Sequence, residues 1–95
     1  EIDLVARYGG EEFSVLLPYA SKDIAYQVSE RIRKAIESTT IVAYDETQKV
    51  TVSIGISVFP DDSRELAELI SNSDKALYDS KRKGRNKVTI FSKKR

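Results

Sequence analysis

The spacing of apolar residues changes period several times along the chain, and each change marks an element. Leu4 to Tyr8 and Glu12 to Leu17 are short and rich in strand formers. Between them Gly9-Gly10 is a two-residue hairpin signal, since glycine accepts positive φ at both turn positions. Pro18 closes the second run. From Lys22 to Ser38 the period lengthens: Ile24, Val28, Ile32 and Ile36 recur every fourth residue, which predicts a helix with one buried stripe and Ser21 as its N-cap. Ile41 to Tyr44 and Lys49 to Phe59 then flank the polar turn Asp45-Glu46-Thr47, predicting a second hairpin whose longer strand is VTVSIGISVF.

Gly55, inside that strand, marks either a bulge or a close approach by another backbone. Pro60-Asp61-Asp62 ends it, and Asp62 with Glu65 fits a capping box. The helix that follows has an inner face of Leu66, Leu69, Ile70, Ser73, Ala76, Leu77 and Ser80, with Gly84 as its C-cap. A last strand, Lys87 to Phe91, leads into a basic tail that is expected to fray. The order strand, strand, helix, strands, helix, strand is an α+β pattern, with helices packed on a mostly antiparallel sheet. No repeat, low-complexity tract or linker interrupts it, so residues 1–95 read as one domain unit.

Composition then removes whole classes of chemistry. The chain has neither Cys nor His, which excludes thiolate nucleophiles, disulfides, imidazole bases and zinc sites built from thiolate or imidazole. Carboxylates, lysine, arginine, hydroxyls and a hard cation must carry any catalysis. The net charge of +1 gives no bulk attraction to nucleic acid or to an anionic membrane. Neither a membrane span nor a signal peptide is readable, and a cytoplasmic location is the default expectation.

Two clusters stand out. At the hairpin tip, Glu11 and Glu12 are adjacent, so in a strand their side chains point to opposite faces and cannot share one ion side by side. If Tyr8 and Glu11 flank the turn, Glu11 shares a face with Phe13, Val15 and Leu17, a costly position for a carboxylate without a cation nearby. The alternative is a solvated hairpin tip. The second cluster is KRKGRNK, Lys81 to Lys87. Cations at a helix C-terminus complement its dipole, which is one reading. Lys81 and Arg85, four residues apart across Gly84, would also clamp a polyphosphate. A third reading, nucleic-acid binding with Tyr78, lacks any accompanying signature.

RYGGEEF, TVSIGIS and DKALYDSKRKGRN, in that order and at these separations, resemble the GGDEF domain family of diguanylate cyclases, in the GGEEF variant of its signature. The resemblance covers essentially the whole chain. It implies a ferredoxin-like, nucleotide-cyclase palm-type fold and the condensation of two GTP into cyclic di-GMP, with pyrophosphate released and two domains meeting as a homodimer. By position, Gly9 and Gly10 would let the nucleotide lie against the backbone, Glu11 would hold a metal, Mg²⁺ or Mn²⁺, and Glu12 would be the second active-site acid. Lys81 and Arg85 would contact the terminal phosphates. Asp3 and Arg31 would belong to an inhibitory site for the product.

The family's first strand, with a second metal-binding aspartate, and its guanine-recognising helices would lie before residue 1, as would the arginine that accompanies Asp3. The chain is therefore expected to be the C-terminal part of a cyclase domain. Alone it would be inert, closing the missing strand's slot by direct strand pairing or filling it from a second chain. Nucleic acid is not an expected partner, and a membrane would be met only through a longer parent protein. The competing class is a non-catalytic receptor for cyclic di-GMP, or a dimerisation module.

Overall fold

The computed structural model describes residues 4–8, 12–17, 20–43 and 46–92, with the backbone alone at 4–8, 12–16, 41–43 and 46–49. Strands β1 (Leu4–Tyr8) and β2 (Glu12–Leu16) form an antiparallel pair. Helix α1 (Lys22–Glu37) follows, then the antiparallel pair β3 (Thr40–Ala43) and β4 (Glu46–Lys49). Strand β5 (Ile54–Ile56), helix α2 (Leu66–Arg82) and strand β6 (Val88–Ile90) complete the order. The expected Gly9, Gly10, Glu11, Asp3, Pro18, Asp45 and basic-tail features lie outside the described residues.

The centre is a β-α-β unit. Strands β5 and β6 run parallel, with Ile54, Gly55 and Ile56 opposite Val88, Thr89 and Ile90. Parallel neighbours need a crossover of a dozen or more residues, and α2 supplies it. The ladders described are two antiparallel pairs and one parallel pair, and none joins β1–β2 to β5–β6, so one continuous, mostly antiparallel sheet is not shown among the described residues. The expected closure of the slot by direct strand pairing is therefore not seen among the described residues.

Alternation along β5 divides its two faces between the helices. Ile54 and Ile56, with Val58, Val88 and Ile90, pack against Ala20 and Ala25 on the α1 side. Gly55 faces α2, and a Cβ there would overlap the Leu77 N and Ser73 O atoms and lie 2.8 Å from Leu77 Cα. The close-approach reading of Gly55 holds. Beside it Ser80, fully buried, hydrogen-bonds through Oγ to Ile54 O (3.0 Å) and to Thr89 Oγ1 (2.6 Å). Small residues at 55, 76 and 80 thus let the helix settle onto the ladder.

Several sequence expectations need correction. The run VTVSIGISVF is not one strand: only Ile54–Ile56 pairs with another strand, and Glu46 and Thr47 belong to β4 rather than to a turn. In the first hairpin Tyr8 pairs with Glu12, where the sequence pattern set Tyr8 against Glu11.

Ser21 does cap α1, accepting from Ile24 N at 3.3 Å, but the buried positions are Ala25 and Ser29, while Ile24 is exposed. Close helix–sheet packing selects the small side chains one position round. On α2, Leu66 and Ile70 are exposed, whereas Asn72, not expected inside, is buried. Asp62 caps no helix: α2 begins at Leu66 with Glu65 as its N-cap and no side-chain cap bond. The buried Asp62 carboxylate accepts from Val58 N (2.7 Å) and pairs with Lys22 Nζ (3.1 Å), tying the β5 exit to α1. No helix among the described residues is long and apolar enough to cross a membrane.

Replacing Gly55 with Ala forces a methyl group into the α2 backbone, which cannot rotate aside as a flexible side chain would. The expected loss is about 1–3 kcal/mol or more, read as a lower urea midpoint at unchanged slope. An unchanged midpoint would mean that α2 lifts from the strand without cost.

Candidate functional site

The C-terminal end of α2 is the negative end of its dipole and attracts cations, and its last turn carries Lys81 and Arg82. After the C-cap Lys83, Gly84 adopts φ +119°, Gly84 N donates to Lys81 O (3.5 Å) and Arg85 N donates to Ser80 O (2.9 Å). These two bonds are those of a Schellman motif, with Gly84 at the first position beyond the cap. Gly84 thus performs the terminating role that the sequence suggested.

The next two residues were not foreseen. Arg85 (φ 67°) and Asn86 (φ 52°) are both left-handed, a conformation that costs a non-glycine residue about 1–2 kcal/mol. It persists only where the surroundings determine it, and here they act on Asn86. Its backbone N–H donates to Ser53 Oγ (3.0 Å), its Oδ1 accepts from Arg33 Nη1 (3.1 Å), and its Nδ2 donates to Glu37 Oε2 (2.8 Å). Arg33 also bonds Glu30 through Nε and Nη2 (3.2 and 2.8 Å) and reaches Glu37 at 3.4 Å. One residue therefore fastens the turn to α1 through its side chain and to Ser53, just before β5, through its backbone.

The backbone N–H groups of Lys83, Gly84, Arg85 and Asn86 are all engaged within the chain. Any anion meeting this turn would therefore find side-chain donors rather than free backbone amides. Arg85 is exposed and Lys81 half-buried. Arg82 lies over the Tyr78 ring at 5.7 Å, so this aromatic already carries an arginine, which disfavours base stacking there.

The remaining predicted residues are dispersed. Glu12 opens β2 opposite Tyr8, and Gly9, Gly10, Glu11 and Asp3 lie outside the described residues. Arg31 is exposed on α1, two positions from Arg33 and hence about 200° round the helix from it. Sequence reasoning missed Arg33, Glu37, Ser53 and Asn86. The available signal was Asn after Gly-Arg, since Asn tolerates the left-handed region. Among the described residues no three acidic groups converge as a metal site would require.

A family model described as diguanylate cyclase, GGDEF domain, matches residues 1–87. The chain belongs to the GGDEF family. Diguanylate cyclase A of Treponema denticola is 46% identical over 88 residues, covering 93% of this chain and 24% of that protein. Among solved structures, the active GGEEF domain of a diguanylate cyclase from Vibrio cholerae superposes with a TM-score of 0.80 at 30% identity, over 94% of this chain and 56% of that one. The GGDEF domain of DgcB from Caulobacter crescentus, in complex with c-di-GMP, gives 0.79 at 36% identity, over 90% and 50%. This GGDEF chain thus spans about a quarter of that curated relative and about half of those solved chains.

The Arg33–Glu30 pair makes a pH prediction. The Arg33 side chain, bonded directly to Glu30, holds its carboxyl below the usual carboxylate range. A carboxyl depressed in the folded state contributes stability that is complete above its unfolded pKa and is lost as pH falls through the folded one. Glu30→Gln should therefore melt below the parent at about pH 7, with the gap closing as pH falls below the ordinary carboxylate range. A gap independent of pH would assign the cost to packing.

Proposed function

We propose that this chain is the C-terminal part of a diguanylate cyclase domain and carries the groups that bind the terminal phosphates of GTP. In the reaction, the 3′-oxygen of each GTP displaces pyrophosphate from the α-phosphate of the other. Two GTP give one cyclic di-GMP and two pyrophosphates, with each domain of a homodimer presenting one nucleotide.

The observation that carries this reading is the turn after α2. Its amides are spent on the chain itself, while Arg85 projects an exposed guanidinium from a held backbone. A planar fork suits phosphate oxygens, and Lys81 one helical turn earlier adds a second cation. Gly9 and Gly10, in the signature, would leave room for nucleotide beside the backbone.

Carboxylate oxygen is the donor that a hard divalent cation such as Mg²⁺ or Mn²⁺ selects, and Glu11 would hold it, with Glu12 as the second acid. When bound, such an ion supplies charge that eases deprotonation of the attacking hydroxyl. A second reading, a receptor for cyclic di-GMP, would use Arg31, exposed on α1, together with Asp3.

The test is the full-length protein with GTP and Mg²⁺. Cyclic di-GMP and pyrophosphate are the expected products; binding of cyclic di-GMP without synthesis would establish the receptor instead. Glu11→Gln should abolish turnover with folding nearly unchanged, because an amide is a poor ligand for a hard cation. Retained kcat would remove Glu11 from the metal site. Lys81→Ala and Arg85→Ala should each lower kcat/KM for GTP, by about tenfold or more for a lost charge-assisted bond. An unchanged value would return the basic cluster to helix termination.

A further inference from the structure

We propose that Asn86, held by Arg33 and Glu37 of α1, is a positioning residue that locks Arg85 in the left-handed conformation from which its guanidinium meets the terminal phosphates. The inference rests on the functional reading above and adds to it a device that acts without touching substrate.

Arg85 is left-handed and exposed, and none of the bonds described holds its side chain, so what the fold fixes is the backbone from which that side chain starts. That backbone is pinned on both sides. Upstream, the Schellman bond from Arg85 N to Ser80 O fixes the turn to α2, and Ser80 is itself seated on Ile54 and Thr89. Downstream, Asn86 is engaged through its backbone N–H and both ends of its amide. The amide's orientation follows from its partners: only oxygen accepts from Arg33, and only nitrogen donates to Glu37.

Arg33 is mostly buried and shared among Glu30, Glu37 and Asn86, so it is spoken for inside the fold and is not a phosphate ligand in reserve. The network joins groups 53 and 49 residues apart in sequence. Helix termination needs only Gly84 and the two Schellman bonds. The fastening of Asn86 to α1 goes beyond that, and what it adds is fixity at the residue next to Arg85.

The test exchanges donor and acceptor. Asn86→Asp keeps an acceptor for Arg33 but sets a carboxylate against Glu37. Adding Glu37→Gln lets the new amide donate to the new carboxylate, restoring the contact at unchanged network charge. In the full-length protein, affinity is measured calorimetrically for a GTP analogue with a methylene bridge between the α- and β-phosphates, and for GMP, which lacks the terminal phosphates. Asn86→Asp should weaken the analogue about tenfold and leave GMP within about twofold, and the double variant should recover to within about threefold.

Equal loss for both nucleotides, no loss for either, or failure of Glu37→Gln to restore binding would overturn the proposal. Arg85→Ala in the same assay separates the two levels. If it leaves the analogue's affinity unchanged, the phosphate site itself is wrong and the lock falls with it. If it weakens the analogue while Asn86→Asp does not, the site stands and only the lock is rejected.

Discussion

The contact on which the rest of this structure depends is the meeting of two backbones at Gly55. Helix α2 lies so close to β5 that the strand can carry no side chain there, and Ser73 and Leu77 occupy the space with main-chain atoms. Close approach brings Ser80 within reach of Ile54 and Thr89, which fixes the helix along its axis as well as against the sheet. Such a seam has little freedom to slide, since a shift of one residue would drive a Cβ into the helix. The end of α2, and with it the turn from Lys83 to Asn86, is thereby set relative to the sheet.

From that fixed end the chain does something that termination alone does not require. It stays left-handed for two residues after Gly84 and then ties Asn86 to α1, which packs on the opposite face of the β5–β6 ladder. The turn is thus referenced to α2 through backbone bonds and to α1 through side-chain bonds. A cationic group presented from such a frame loses less freedom on meeting a phosphate than one on a loose loop, which is where preorganisation contributes to binding. The internal use of its amides makes this turn unlike a glycine-rich phosphate loop, where free N–H groups do the recognising.

Much of this was legible in the sequence where one local rule sufficed. Ser21 caps α1 and Gly84 follows the end of α2, because each depends on chemistry within a few residues. Gly55 was legible for another reason: a glycine inside a strand pattern signals a bulge or a close approach, and the fold decides for the approach by Ser73 and Leu77. Failures came where tertiary partners decide. VTVSIGISVF has strand-forming side chains throughout, yet only the stretch opposite Val88 to Ile90 forms a ladder. Leu66 and Ile70 fit a helical stripe but stay exposed, while the polar Asn72 is buried and donates to Asp62 O. Asp62 looks like a cap and is a clamp. Arg33 and Arg31 are indistinguishable by local pattern, and only the fold brings Arg33 to Asn86. The family itself was readable from three ordered motifs, because their spacing is a stronger constraint than any one of them.

The most direct measurement is a crystal structure of the full-length protein with the methylene-bridged GTP analogue. The account predicts the Arg85 guanidinium within hydrogen-bonding distance of terminal phosphate oxygens, with Lys81 on the same group and Asn86 still bonded to both Arg33 and Glu37. Triphosphate bound away from this turn, or bound there by the backbone amides of residues 83–86 after the Asn86 bonds have broken, would contradict it.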